Sequence, residues 1–411
     1  MISGKADCGL QYAVRKSAST VGYCALSIKC GTRDEMGYHG GIAHFVEHTI
    51  FKGTLKKRAS AINGYLEKLG GELNAFTTKE EIVIHATVLK EDLPKAGALL
   101  FELATSATFP EREIEVEKSV VIDEIQSYKD TPYEDIYDRF EEMLFVGHPL
   151  HGNILGKPSS VKKITREELL RFVGEKFVPG RMAFTVVADI DEAKMEKDIL
   201  KLVDKFFPSV PETSSPVTSQ SYALPAADSF DKTLNKRNHQ ANCVIGALAP
   251  SLYQERERIA TVLLCNILGG PASNSILNSV LREKNGWVYS VECGYTQFSD
   301  TGMVAISLGC DKANLDKCLR AIDKEIKVLQ EELLSDRKLK AAKKQLLGQL
   351  AISSDNGETQ CLSMGKSLLA YGKVSSGKEN RSLVEAVTAE DIREMARTVF
   401  DFSKLSKLIY I

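Results

Sequence analysis

Between Phe207 and Asp228 the chain carries Pro208, Pro211, Pro216 and Pro225 among serines, with few apolar residues in succession. Such a stretch has no periodicity that a core could use, so it reads as an exposed linker. It divides the 411 residues into two parts of domain size, 1–207 and 229–411, joined by 208–228. The same order of elements is legible on both sides. In the first part, residues 21–28 are apolar and β-prone, and Gly40-Gly41 precedes a helix over about 42–51. A helix over about 59–69 stops at Gly70-Gly71. Strands follow over about 72–78 and 82–89, then helices over about 93–107, 111–128, 133–144 and 166–176, then an apolar strand at 183–188. The second part offers a strand at 243–248, a helix at 255–268 ending on Gly269-Gly270, and strands at 287–295 and 303–308. Helices over about 315–334 and 336–351 and a closing strand at 405–411 complete it. Two parts of similar grammar suggest internal duplication, although residue identity between them is weak.

Composition narrows the function classes. With 43% hydrophobic and 26% charged residues, the chain is of ordinary globular make-up. Lys+Arg 53 against Asp+Glu 55 leaves a formal net charge of −2, so nothing global draws it to nucleic acid or an anionic membrane. No apolar run is long enough for a membrane-spanning helix, and the first residues lack a secretory pattern. The nine cysteines are scattered without a CxxC pair. They read as small core residues in a reducing, cytoplasmic compartment rather than as disulfides or a thiolate metal site.

The chemistry concentrates in Gly40-Gly41-Ile42-Ala43-His44-Phe45-Val46-Glu47-His48. On a helix, His44 and His48 stand one above the other, able to ligate one metal ion. Glu47 reaches the same face from the side, where a carboxylate can take a proton without ligating. With 7 histidines and 55 acids in the chain, a chance His-x-x-acid-His is expected about 0.016 times, so coincidence is a poor account of it. A catalytic zinc needs a third protein ligand. Glu124 is the candidate, on an acidic helix where Glu117 lies two turns earlier on the same face. His39, His85, His148, His151 and His239 have no comparable spacing, so a second metal is not expected.

The segment Gly-x-Ala-His-Phe-x-Glu-His, followed by Phe51-Lys52-Gly53-Thr54, resembles the pitrilysin, insulin-degrading enzyme and mitochondrial processing peptidase family of zinc peptidases. These are the inverzincins, with the HxxEH order. Gly70-Gly71-Glu72-Leu73-Asn74-Ala75-Phe76-Thr77 is similar to that family's strand beside the active site. Glu124 falls 76 residues (124 minus 48) after His48, where the family has its third ligand, and Glu117 sits at its supporting acid. Leu268-Gly269-Gly270 and the run from Leu281 to Val291 resemble the C-terminal signature, with Arg282 and Tyr289 at the positions that contact substrate and oxyanion. Trp287-Val288 departs modestly, since smaller residues are common there.

The resemblance implies an α+β fold of two homologous mixed α/β domains, each a mostly antiparallel sheet packed with helices. It implies one zinc ion per chain on His44, His48 and Glu124, with Glu47 activating the metal-held water and Glu117 in support. Asn74, Ala75 and Phe76 would pair with extended substrate, and Arg282 and Tyr289 would hold it. It implies an endopeptidase for peptides or unfolded segments. Long family members join two such lengths around a chamber, so the resemblance also implies a homodimer, or a heterodimer with a related subunit, with Arg282 and Tyr289 acting in trans. The alternative is a subunit of a processing-peptidase-like complex, active only with a different partner or mainly structural.

Overall fold

The computed structural model describes residues 1–208 and 229–411; the expected linker lies, apart from Phe207 and Pro208, outside the described residues. The chain forms two compact units, built around two sheets. Unit 1 comprises Met1–Gln126, Gly152–Gln220 and Ile352–Ser375; unit 2 comprises Ser127–His151, Ser221–Ala351 and Ser376–Ile411.

The elements of the first part run β1 (Ile2–Lys5), β2 (Gln11–Lys16), β3 (Val21–Ile28), α1 (Ile42–Thr49), α2 (Ala59–Glu67), β4 (Glu72–Thr77), β5 (Ile82–Leu89), α3 (Leu93–Ser106), α4 (Glu111–Lys129), α5 (Pro132–Leu144), α6 (Pro158–Val161), α7 (Arg166–Lys176), β6 (Met182–Ala188) and α8 (Glu192–Phe206). Those of the second run β7 (Asp231–Leu234), β8 (Ala241–Ala249), α9 (Glu255–Gly269), β9 (Val288–Gln297), β10 (Gly302–Cys310), α10 (Leu315–Glu331), α11 (Asp336–Asp355), α12 (Gly357–Tyr371), α13 (Gly377–Ala386), α14 (Ala389–Val399) and β11 (Ser406–Tyr410). The sheet of unit 1 has the order β1-β2-β6-β3-β5-β4, that of unit 2 the order β7-β11-β8-β10-β9. In each, one pair is parallel (β2 with β6, β7 with β11) and the other pairings are antiparallel. Strand for strand, β2, β3, β4, β5 and β6 have their counterparts in β7, β8, β9, β10 and β11, so the duplication is plain in topology.

Central strands are covered on both faces and read as nearly continuous apolar runs, broken in β6 only by Thr185 and in β10 by Ser307. One face of the first sheet presents Leu26, Ile28, Ile84 and Phe184 to the main core. Its other face presents Ala13, Ala25, Val83, Ala183 and Val187, which pack with Cys361, Met364 and Leu368 of α12. In unit 2, α5 plays the corresponding part, with Ile136, Phe140 and Leu144 against Val244, Met303, Ala305 and Leu408. Each sheet is therefore completed by a helix from the other part of the sequence. The eight thiols other than Cys8 are buried, and all nine cysteines are free. Among the described residues, no helix is long and apolar enough to cross a membrane.

The closeness of α12 to its sheet rests on small residues. A Cβ at Gly365 would sit 2.4 Å from Ser27 Oγ, a fully buried side chain. Gly365→Val is expected to lower unfolding free energy by about 1–3 kcal/mol, read by denaturant titration. Gly348→Ala, on α11 with nothing near its Cβ position, should be neutral or stabilising. Equal stability of Gly365→Val and wild type would contradict this packing.

Candidate metal centre

The site is built on α1, which has only eight residues. Ile42, Phe45, Val46 and Thr49 face the core, leaving His44, Glu47 and His48 on the other side. The first turn is clamped. Gly41 caps it at φ +93°, where a side chain would be strained, and a Cβ there would lie 2.8 Å from Leu155 O. Gly156 approaches in return, its Cβ position 2.4 Å from Gly40 O. The buried Glu35 then spends both carboxylate oxygens on this turn: Gly41 N–H donates to Oε2 at 2.8 Å and Ala43 N–H to Oε1 at 3.0 Å. His39 is fixed by Glu168, through its N–H at 2.7 Å and its ring Nδ1 at 2.9 Å.

The His44 and His48 rings meet edge to face, centroids 4.6 Å apart. Their Nε2 atoms lie 3.7 and 3.3 Å from one atom, Glu124 Oε2. That oxygen has no hydrogen-bond partner, and neither has His44 Nδ1. Bonds of about 2.0–2.1 Å in a tetrahedron place neighbouring donor atoms about 3.3–3.4 Å apart, so this trio has the spacing and the chemistry of a zinc site. Among the described residues it is the one group of three His, Cys, Asp or Glu side chains able to hold a metal ion. Burial, with His48 adding to it, pushes the His44 ring down to about 3, so its imidazole is neutral at physiological pH, as a ligand must be.

Glu117 also arrives, two turns before Glu124 on α4. Its Oε2 lies 3.2 Å from His48 Nδ1 and its Oε1 2.6 Å from Lys52 Nζ. Glu47 is half-buried, and burial raises its carboxyl above the ordinary range, with Thr77 on β4 opposing. A cleft of about 540 Å³ opens from Glu47 and His48 and is walled by Phe51, Leu66, Leu73 and Ala75. Asn74, Ala75 and Phe76 lie on β4, which pairs with β5 on one side only and ends the sheet. His85, opposite Asn74, pairs with Glu358 at 3.1 Å.

Arg282 and Tyr289 belong to unit 2. Arg282 sits in a seven-residue π-helical segment, Asn278–Lys284, and binds Glu283 Oε1 through Nε and a terminal nitrogen at 3.1 and 3.0 Å. Tyr289 is 58% exposed and donates to Asp311 Oδ1 at 2.8 Å, which holds its hydroxyl above the usual tyrosine range. Trp287 packs against the unit 2 core. His148 pairs with Asp300 and His151 with the Glu142 carbonyl, so these two histidines serve separate structural contacts. Sequence reading missed Glu35 and the pairing of Lys52. The only signal for either was its nearness in sequence to the helix.

Comparison with known proteins agrees with the geometry. Residues 12–158 match the family described as Insulinase (Peptidase family M16), and residues 163–346 match the Peptidase M16 inactive domain. The chain is similar to the uncharacterized zinc protease YmxG of Bacillus subtilis, at 29% identity over 91% of this chain and 89% of that protein. An uncharacterized zinc protease of Mycobacterium tuberculosis is 30% identical over 89% of this chain and 83% of that one. Among solved structures, a protease from Helicobacter pylori superposes with a TM-score of 0.87 at 19% identity, covering 100% of this chain and 98% of that one. A peptidase M16 inactive domain from Pseudomonas fluorescens does so at 0.89 and 18%, covering 100% and 97%. A His-His-Glu cluster within unit 1 of a chain of two mixed α/β units fits the family of zinc proteases that these matches name. The chain belongs to it: it is a member of peptidase family M16.

Burial lifts the Glu35 carboxyl to about 8, against the pull of the Gly41 and Ala43 N–H groups and of Lys79. An unfolded glutamate ionises near 4.3, so between there and about 8 the folded state holds the extra proton. Stability from this group is full at low pH and is lost as pH rises through that window. Zinc-free wild type should lose melting temperature relative to Glu35→Gln as pH is raised from 5 to 8.5. A difference that stays constant across that range contradicts the assignment.

Proposed function

We propose that this chain is a zinc endopeptidase acting on peptides or unfolded segments. The observation that carries the reading is the convergence of His44 Nε2, His48 Nε2 and Glu124 Oε2 on one point, with Glu47 beside it. His44, His48 and Glu124 would hold one zinc ion. When bound, zinc supplies Lewis acidity, lowering the pKa of water toward neutrality and polarising a carbonyl. Glu47 takes the proton from the attacking water and passes it to the leaving amine, a task its raised carboxyl suits. Glu117 orients His48 through Nδ1. The free edge of β4 binds substrate as an added strand through Asn74, Ala75 and Phe76, with a side chain entering the adjoining cleft.

Arg282 and Tyr289 hold the peptide and steady the developing oxyanion. In this reading two copies of the chain enclose the substrate, and the Arg282/Tyr289 pair serves the zinc of the partner copy. The presence of His44, His48 and Glu124 together, with Glu47 on the same helix, supports an active enzyme over a structural subunit.

Purified protein is expected to carry one zinc per chain and to cleave a quenched peptide, with activity lost on chelation. Glu47→Gln should keep the metal and lower kcat/KM by about 10²–10⁴. Wild-type turnover by Glu47→Gln removes the base assignment. Mixing Glu47→Gln with Tyr289→Phe chains should restore activity; no recovery despite demonstrated subunit exchange contradicts action in trans.

A further inference from the structure

Lys52 has no part in the chemistry described so far, yet it is the cation nearest the supporting acid. It closes the single 3₁₀ turn Ile50–Lys52 that extends α1. Its Nζ lies 2.6 Å from Glu117 Oε1, and the Glu117 side chain is only 8% exposed. The other Glu117 oxygen faces His48 Nδ1 at 3.2 Å, and the far nitrogen of that ring faces Glu124 at 3.3 Å. The four groups form one chain: ammonium, carboxylate, imidazole, ligand position.

A buried carboxylate is costly unless a cation or several donors compensate it. Glu117 has two such partners, one for each oxygen. They come from one local segment, since Lys52 follows His48 by one helical turn. Lys52 therefore pins the carboxylate plane from the side opposite His48. Without it, Glu117 keeps only its 3.2 Å contact to the His48 ring. The imidazole then loses its fixed aim, and the cost falls on metal binding. The ammonium is held by Glu117 at the margin of the cleft that it also borders.

We infer that Lys52 is a positioning residue of the zinc site, acting through Glu117 on the orientation of His48. The inference rests on the zinc reading above. Its test is the zinc dissociation constant, measured by competition with a chromophoric chelator at pH 7.5. Wild type, Lys52→Met, Lys52→Arg, Glu117→Gln and the Lys52→Met/Glu117→Gln double variant are compared. Lys52→Met keeps the apolar stem and is expected to weaken zinc binding about tenfold, the lower end for groups that support a ligand. Lys52→Arg should recover most of that loss. The double variant should bind zinc no more weakly than Glu117→Gln alone, because both changes break one chain.

Thermal unfolding of the zinc-free proteins separates positioning from stability. If Lys52→Met lowers the melting temperature but leaves zinc affinity within twofold of wild type, the ion pair is only structural and the inference fails. It fails equally if the two single losses add in the double variant. A raised KM for acidic peptides with unchanged zinc affinity would make Lys52 a substrate contact instead. Wild-type protein without measurable zinc affinity overturns the zinc reading itself and this inference with it.

Discussion

The clamp on the first turn of α1 is the constraint from which the rest of the site follows. A helix of two turns is marginal by itself, because nucleation costs more than so few hydrogen bonds return. Its first N–H groups have no partner within the helix and are buried here, which would be a further cost. Glu35 answers two of them, and the Gly40-Gly41 backbone closes against Gly156 where no Cβ fits. Once that turn is fixed, the helical repeat decides where His44, Glu47 and His48 point. At the other end, Thr49 Oγ1 donates to Phe45 O at 2.6 Å, and the 3₁₀ turn carrying Lys52 continues the same rod.

A second helix supplies the opposing charge. Glu117 and Glu124 occupy one face of α4, two turns apart, and reach the two nitrogens of the same His48 ring. The arrangement buries the Glu117 carboxylate and half-buries that of Glu124, so each must be compensated. Lys52 and His48 do this for Glu117. Glu124 Oε2 is left without a hydrogen bond, although two ring nitrogens face it, and that is what a metal ligand looks like before the ion is considered. Burial also keeps the His44 imidazole neutral and raises Glu47, so the same desolvation suits both to the roles proposed for them.

Much of this was legible because it is local. The i, i+4 histidines, the glutamate between them and the acids two turns apart on α4 follow from helix periodicity alone. The apolar runs of β3, β6, β8 and β10 showed themselves as buried strands. What escaped depends on distant partners. The face of α12 that covers the first sheet is made of Cys361, Met364, Gly365 and Leu368, too mixed a set to announce a core helix. Its partners lie at Ala25, Val83 and Ala183, far back in the chain. Glu35 looks like any loop acid until Gly41 and Ala43 are seen to bond to it. Lys52 was quoted as part of a motif without a task, since a lysine after a helix is ordinarily solvated. β1, β2 and β7 were too short or too polar to stand out.

X-ray absorption at the zinc edge, on protein loaded with one equivalent of zinc, addresses the central claim most directly. The account predicts a first shell of nitrogen and oxygen only, with the outer-shell signature of two imidazoles, and the loss of one imidazole in His44→Ala. A sulfur neighbour would place the metal on one of the cysteines, and an unchanged spectrum in His44→Ala would place it away from α1. Either result contradicts the site described here.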